Sequence, residues 1–437
     1  MNARELILGP NYLSAKRLIH RTSRWPKERL EELQYQKLRN LLVYAVNHIS
    51  YYKNVDRAFL EADNCHNLIS YFFYSDKNTI AKYFNKMISS VKYRRRVTNT
   101  GGSTGQPMVF YQDRFVTRQR EKAFIFDMWS RIGYKVGDKI VNLRGRTPKR
   151  GKLLEHSWLL NTYFLSSFDL YVEKLDQYIK LINKIQPKFL HGYPSTLFQF
   201  AQLLKAENKR LDINLKGVFC GSEKLFPYQR EMLESVFQCR PYNWYGHSEY
   251  AVLAGECEHT TDLHFFPQYG YTEFHDTGLQ HEGKPLYEIV ATGFNNRVMP
   301  FIRYRTGDYC TLKQDARCSC GRNYDIAEEV LGRQQEFVVD KNGHLISATA
   351  LLFGQHFKLF NGLSSFKAVQ EEEGKLTLVM VKNELFEEEQ FQEFERNVSE
   401  LLKDRLAFDY EFVNEDDRTE TGKSKTVEQH LDMNNYM

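Results

Sequence analysis

The alternation of apolar and polar positions divides the chain into a helical beginning and a longer mixed remainder. From Arg29 through Ala45, apolar side chains return at three- and four-residue steps, the period of a helix with one buried face. Residues 1–90 read as mostly helical, a lead-in without evident chemistry. Val109-Phe110-Tyr111 then reads as a short strand, and Arg118 to Arg131 as a helix stopped by Gly133. Lys139 to Leu143 is a β-rich run after the Gly137-Asp138 turn. A helix from Tyr178 ends at Gln186-Pro187-Lys188, a buried strand starts at Phe189-Leu190, and Pro194-Ser195 opens another helix with proline in the first turn, where its missing donor costs little. Leu215 to Cys220 is a further strand. Strands alternating with helices predict an α/β layered domain with parallel strands.

Beyond this region Tyr287 to Tyr309 is β-rich. Phe337 to His344 reads as a strand and turn, Leu376 to Val381 as a strong strand, and Glu387 to Leu406 as an amphipathic helix with an acidic start. A boundary near Gly332-Arg333 leaves about 100 residues, enough for a small α+β domain. The expected organisation is a large domain over 1–333, including the helical lead-in, and a small mobile one over 334–437.

Composition adds limits rather than direction. A chain of 437 residues exceeds one ordinary core, so two domains are expected. With 42% hydrophobic and 26% charged residues it is globular, not disordered. The net charge is +5, and Lys92-Tyr93-Arg94-Arg95-Arg96 is the dense basic run. Without a nucleic-acid-binding motif around it, that run reads as a solvated flank or a feeder for an anionic nucleotide, and no nucleic-acid partner is expected. The beginning lacks an apolar signal core, and no window approaches the ~20 apolar residues that span a bilayer, so a cytoplasmic location is expected. Seven cysteines, an odd number, suit free thiols or a metal site better than a disulfide framework.

Candidate chemistry begins at Thr98-Asn99-Thr100-Gly101-Gly102-Ser103-Thr104-Gly105-Gln106-Pro107. Glycines let a ligand approach the backbone closely, and successive N–H groups in such a loop can converge on an anion. The hydroxyls add neutral donors. Neither the Walker A offset nor the dinucleotide-binding glycine spacing is present, and alone the loop is also compatible with a surface turn.

Four short blocks follow: Tyr245-Gly246-His247-Ser248-Glu249, Tyr304-Arg305-Thr306-Gly307-Asp308, Leu331-Gly332-Arg333 and Thr421-Gly422-Lys423. In this order, with the glycine loop, they resemble the adenylate-forming (acyl- and aryl-CoA synthetase) superfamily. Phe189-Leu190-His191-Gly192-Tyr193-Pro194-Ser195 and Phe301-Ile302-Arg303-Tyr304-Arg305 resemble the branch of phenylacetate–CoA ligase and the capsule-biosynthesis (CapK-like) proteins. The resemblance runs from about residue 30 onward. It implies an ATP- and Mg²⁺-dependent ligase that activates a small carboxylic acid as an acyl-adenylate, releases pyrophosphate, and passes the acyl group to a thiol or amine. The branch also suggests a setting in capsule or surface polysaccharide biosynthesis. The competing reading is a partner protein of such a system that binds ATP or AMP without turnover.

The resemblance assigns roles by position. Thr100, Gly101, Gly102, Ser103, Thr104 and Gly105 would hold the β- and γ-phosphates. Gly221, Ser222 and Glu223 would wall the adenine, although a capped strand–helix turn explains them equally. Tyr245, beside Gly246, would stack on the base or shape the acyl pocket, and Ser248 would donate to the α-phosphate. Glu249 would ligate Mg²⁺, since one carboxylate plus substrate phosphates is the usual way that ion is held. His247 would contact the substrate acid or serve structurally. Asp308 would accept both ribose hydroxyls. Arg303 and Arg305, on alternate strand positions, would share one face, with Arg305 toward the nucleotide, and Arg333 would reach a ribose or phosphate oxygen. Lys423, rather than Lys425, would bridge the attacking carboxylate and the α-phosphate.

Two departures from the family pattern stand out. The hinge position falls in Gln334-Gln335-Glu336 instead of an aspartate, and Asn342-Gly343-His344 to Ser347 replaces the segment that usually follows in coenzyme A users, which leaves coenzyme A open as the acceptor. A second constellation joins Cys257 and His264 to Cys318-Ser319-Cys320-Gly321. Two kinds of soft ligand, four in number, suit a closed structural zinc site, with His259 as the alternative histidine. Cys310 reads as core.

Overall fold

The structure is a computed structural model describing residues 3–99, 108–143, 153–166, 170, 172–314, 317–333, 337–343, 345–347, 357–382, 384, 386–402, 405–413 and 427–436. The chain divides into two compact units, each built from separated segments. The first takes residues 1–136, 244–280 and 284–330, and the second takes 137–243, 281–283 and 331–437.

The first unit starts with the expected helices. Gly9, at φ +95°, precedes Pro10–Thr22, and Pro10 sits in the opening turn. Lys27–His48 buries Leu30, Leu38, Leu41, Leu42 and Ala45, and packs the last four with Phe59, Phe72, Phe294 and Ile302. The strands Arg95–Asn99 and Val109–Asp113 pair antiparallel in a two-stranded ribbon, with Asn99 opposite Val109. The glycine loop connects these two strands, and residues 100–107 lie outside the described residues. Asn296 ties the ribbon down, its Nδ2 donating to the carbonyls of Tyr111 (2.8 Å) and Met299 (3.0 Å). Helix Val116–Ser130 follows the ribbon.

The sheet of this unit is largely antiparallel. Its order is Gly270–His281, Lys284–Gly293, Tyr304–Leu312, Ile326–Arg333, Leu263–Phe265, Leu253–Gly255, then the Trp244–Gly246 end of Pro241–Gly246. The shorter strands were not legible in the sequence, because three-residue runs carry too little periodicity. Gly270 and Gly293 earn their places here. A Cβ on Gly270 would stand 2.4 Å from the Ala251 carbonyl oxygen, and one on Gly293 would stand 2.7 Å from that of Tyr250. Both clashes are with backbone, so they cannot be relieved by a rotamer change. We expect Gly293→Ala to cost about 1–3 kcal/mol, read as a lower urea midpoint at unchanged m-value.

The second unit has the α/β layering the alternation predicted. Ile140–Leu143 pairs parallel with Thr162–Leu165 on one side and Phe189–Gly192 on the other, and Phe189–Gly192 pairs parallel with Gly217–Gly221. Phe189–Gly192 and Gly217–Gly221 are buried throughout, as expected of strands covered on both faces. Helix Val172–Ile185 buries Leu175, Tyr178, Ile182 and Ile185, again at three- and four-residue steps. One edge strand, Leu154–Ser157, runs antiparallel, a hairpin the sequence reading missed.

Later residues of this unit form a separate four-stranded sheet in the order Ala407–Phe412, Lys375–Lys382, Leu363–Gln370, Val427–Gln429. Lys375–Lys382 alternates cleanly, with Leu376, Leu378 and Met380 buried. These pack on Phe394, Val398 and Leu402 of helix Glu388–Leu402. Among the described residues no helix is long and apolar enough to cross a membrane.

Candidate active site

Of the residues singled out in the sequence, Tyr245, His247, Glu249 and Asp308 meet in the first unit. Tyr245 closes on Asp308, its hydroxyl donating to Oδ2 at 2.7 Å. Asp308 is buried, and its own N–H is held by the Thr306 hydroxyl at 3.1 Å. The Tyr304 hydroxyl donates to Glu249 Oε1 at 3.0 Å. His247 Nδ1 stands 3.2 Å from Glu249 Oε2, within ion-pair range, although among the described residues neither ring nitrogen makes a hydrogen bond. The rings of Tyr245 and Tyr304 lie 6.3 and 6.2 Å from that of His247. Each of the two carboxylates is thus oriented by a tyrosine hydroxyl, and Glu249 stands beside His247.

Local backbone explains the placement. Gly246 ends the strand Pro241–Gly246, and the chain then turns tightly, with Tyr250 N–H donating to the His247 carbonyl at 3.2 Å and Tyr250 itself at φ +59°. A left-handed tyrosine is uncommon and signals a constrained turn. Its constraint is the seat on Gly270 and Gly293 described above, which fixes the backbone immediately after Glu249. Ser248 is exposed, and its carbonyl accepts from Gln112 Nε2 at 3.4 Å.

The arginines are arranged differently from the expectation. Arg303 and Arg305 do not occupy alternate positions of one strand, because the strand begins at Tyr304 and Arg303 is left-handed at φ +44°. Ser75 fixes this turn, donating from its N–H to the Arg303 carbonyl and accepting from the Arg305 N–H. Arg303 is buried against Glu273 through Nε (3.1 Å) and Nη2 (2.7 Å), and lies 4.0 Å over Tyr74. Arg305 is exposed and forms a bidentate pair with Glu288 at 2.8 and 2.7 Å.

In the second unit, Gly221 ends its strand and Ser222 is left-handed at φ +71°. Glu223 Oε2 accepts the Ser195 N–H at 3.1 Å, in the first turn of helix Pro194–Ala206. A carboxylate there satisfies an otherwise orphaned donor and suits the positive end of the helix dipole. Thr100, Gly101, Gly102, Ser103, Thr104, Gly105 and Lys423 lie outside the described residues, as does the side chain of Arg333.

One pair beside His247 was not visible in the sequence. The Tyr269 hydroxyl donates to Glu121 Oε2 in a very short contact. Burial pushes the Glu121 carboxyl up to about 7, opposed by that hydrogen bond and by His247. Glu121 comes from helix Val116–Ser130 and Tyr269 from the sheet, so only the tertiary fold brings them together.

The cysteine–histidine constellation does assemble. The ligand atoms of Cys257, His264, Cys318 and Cys320 all lie within 4.8 Å of one another. Cys257 Sγ is 3.6 Å from Cys318 Sγ, and Cys320 Sγ is 3.5 Å from His264 Nε2. A tetrahedral zinc with ordinary Zn–S and Zn–N bonds requires edges of about 3.5–3.8 Å, and these two separations match that spacing. His264 turns Nδ1 to the Asp262 carbonyl at 3.1 Å, leaving Nε2 facing the thiols. The N–H groups of His259 and Thr260 point at Cys257 Sγ (3.3 and 3.2 Å), so His259 contributes its backbone, not its ring. Cys310 is buried in the apolar core, as expected.

No family model matches the chain. Among solved structures, a 2-hydroxyisobutyryl-CoA ligase in the postadenylation state, in complex with an acyl-AMP, superposes with a TM-score of 0.69. The match covers 93% of this chain and 90% of that one at 17% identity. The fold is therefore that of an adenylate-forming enzyme with its small C-terminal domain. Among curated proteins, Protein CapK of Staphylococcus aureus is 25% identical over 354 residues, covering 80% of this chain and 77% of CapK. Phenylacetate-coenzyme A ligase of Thermus thermophilus is 23% identical over 335 residues, covering 72% of each. The chain resembles the adenylate-forming superfamily, in its CapK-like and phenylacetate–CoA ligase-like branch, and its class is that of an AMP-forming ligase.

Proposed function

We propose that the protein uses ATP and Mg²⁺ to convert a small carboxylic acid into an acyl-adenylate and pyrophosphate, then transfers the acyl group to a thiol or amine. The observation that carries this reading is the network Asp308–Tyr245–His247–Glu249–Tyr304, where two buried carboxylates are oriented for different tasks. Asp308, steadied by Tyr245, accepts the ribose hydroxyls. Glu249, steadied by Tyr304, holds Mg²⁺, which neutralises phosphate charge when bound. His247, with no hydrogen bond among the described residues, meets the acid, and Glu121 with Tyr269 extends the wall on that side. The loop Thr100–Gly105 cradles the leaving phosphates, Gly221–Glu223 borders the base, and Arg333 reaches the nucleotide. Lys423, delivered by the segment after residue 334, neutralises charge building between the carboxylate and the α-phosphorus. The zinc at Cys257, His264, Cys318 and Cys320 is structural.

The test is exchange of labelled pyrophosphate into ATP across a panel of aryl and sugar-linked acids, followed by coenzyme A, carrier-thiol and amine acceptors. Lys423→Ala is expected to lower acid-dependent exchange about 10²–10³-fold while nucleotide binding stays near wild type. Exchange that ignores every acid would count against the reading. A cytoplasmic setting in surface polysaccharide assembly is what the resemblance to the CapK-like branch implies.

A further inference from the structure

Three helices of the first unit turn cations into one cavity of about 620 Å³. Pro10–Thr22 supplies Arg17 and Arg21, a helical turn apart, Lys27–His48 supplies Lys37, and Val116–Ser130 supplies Arg120. That volume is in the range of small-molecule sites. Among the described residues no carboxylate lines it, and none of the four cations forms an ion pair. The contrast with the rest of the chain is plain, because its buried arginines face acids: Arg303 pairs with Glu273, Arg322 with Glu258 and Arg131 with Asp127.

Two of the four cations are steadied by adjacent residues. Arg120 Nη1 donates to Asn295 Oδ1 at 3.5 Å, and the Asn295 carbonyl accepts from the Thr117 hydroxyl at 2.9 Å, on the arginine's own helix. Lys37 Nζ lies 5.4 Å from the ring centre of Phe294. Neither charge is sealed in. Lys37 and Arg120 are half-buried, and none of their nitrogens is an enclosed atom without a partner, whereas Nε of Arg131 and of Arg322 is. Burial, then repulsion from Arg120 and Arg297, pulls the Lys37 ammonium down to about 8. The acid that acts on Arg120 is Asp113, whose Oδ1 is committed to the N–H groups of Phe115 and Val116, both at 2.9 Å. Like charges gathered in a partly buried cavity repel unless an anion compensates them.

The charge count sets the ligand class. A carboxylate or a phosphodiester headgroup brings one negative charge, whereas a phosphomonoester brings about two and a diphosphate at least as many. Their several acceptor oxygens also suit a guanidinium fork beside an ammonium. We propose that this cavity binds a soluble phosphomonoester or diphosphate, held by Lys37 and Arg120, with Arg17 and Arg21 adding to the neutralisation. The site stands apart from the adenylation reading and does not depend on it.

Calorimetric titration of the full chain with inorganic pyrophosphate and with glycerol 3-phosphate tests this, with acetate as the singly charged control. At about 0.15 M salt at least one of the two phosphates is expected to bind saturably, and acetate is not. Lys37→Met and Arg120→Gln should each weaken that binding about tenfold or more. Arg24→Gln, which removes an exposed charge outside the cavity, should leave it unchanged. Ser103→Ala, in the loop proposed to hold the leaving phosphates of the adenylation reaction, should also leave it unchanged. Without ligand, Lys37→Met should melt no lower than wild type, which separates lost binding from lost folding. The proposal is overturned if neither phosphate binds, if acetate binds as tightly, or if neither cavity variant weakens binding. It is equally overturned if Arg24→Gln or Ser103→Ala weakens binding as much as the cavity variants do, or if the chain binds phosphatidylglycerol vesicles but no soluble phosphate.

Discussion

Replacing Glu249 by glutamine is expected to lower acid-dependent pyrophosphate exchange by about two to three orders of magnitude. Glutamine keeps the shape and the carbonyl oxygen that accepts the Tyr304 hydroxyl, so the fold should tolerate it. What it removes is the negative charge beside His247, in a site 3% exposed. A buried charge is retained at this cost only if something cationic is held there, and Mg²⁺ on the substrate phosphates is the proposed cation. Glu249→Gln should therefore raise the Mg²⁺ concentration needed for half-maximal exchange, and Glu249→Asp should recover part of the rate. Wild-type exchange in Glu249→Gln would remove this residue from the proposed chemistry. Tyr304→Phe should show a milder loss of the same kind, since it frees the carboxylate to reorient.

The second large effect is on stability. His264 lies in the strand Leu263–Phe265, Cys257 follows Leu253–Gly255, and Cys318 and Cys320 lie between Tyr304–Leu312 and Ile326–Arg333. One ion would thus link the ends of several strands of the first unit. Purified protein is expected to contain about one zinc per chain, and Cys320→Ser to lose it and melt several degrees lower, because zinc binding that accompanies folding contributes free energy to the fold. Cys65→Ser, which is not a member of the cluster, should retain both metal and melting temperature. Less than roughly half a zinc per chain by elemental analysis would sink the assignment.

How much was legible depended on the scale of the signal. The helix Lys27–His48 and the parallel strands about Phe189–Gly192 carry enough periodic apolar residues to be read directly. The four zinc candidates were legible because thiol and imidazole are a distinctive pairing, and it is the ring of His264, not that of His259, that joins the thiols. The arginine pair failed because alternation assumes extended backbone on both sides, and nothing in Phe301-Ile302-Arg303 reveals a left-handed residue at 303. Glu121 was invisible for another reason: a carboxylate amid Arg118, Arg120 and Lys122 on a helix looks solvated until Tyr269 closes over it. Gly270 and Gly293 looked like ordinary strand positions, because what they accommodate, the backbone at Tyr250 and Ala251, comes from elsewhere in the chain.

The interleaving of segments in the first unit bears on how the molecule is made. Ile80, Met87 and Phe110 find their packing partners in Ala251, Ile289 and Ala327, and Leu38 and Leu42 find theirs in Phe294 and Ile302. During synthesis the leading third of the polypeptide therefore waits, greasy surfaces uncovered, until the ribosome has passed residue 327. Such long-range closure is slow and leaves sticky intermediates, so chaperone attendance and growth temperature would govern the yield of this protein more than the final stability of its fold.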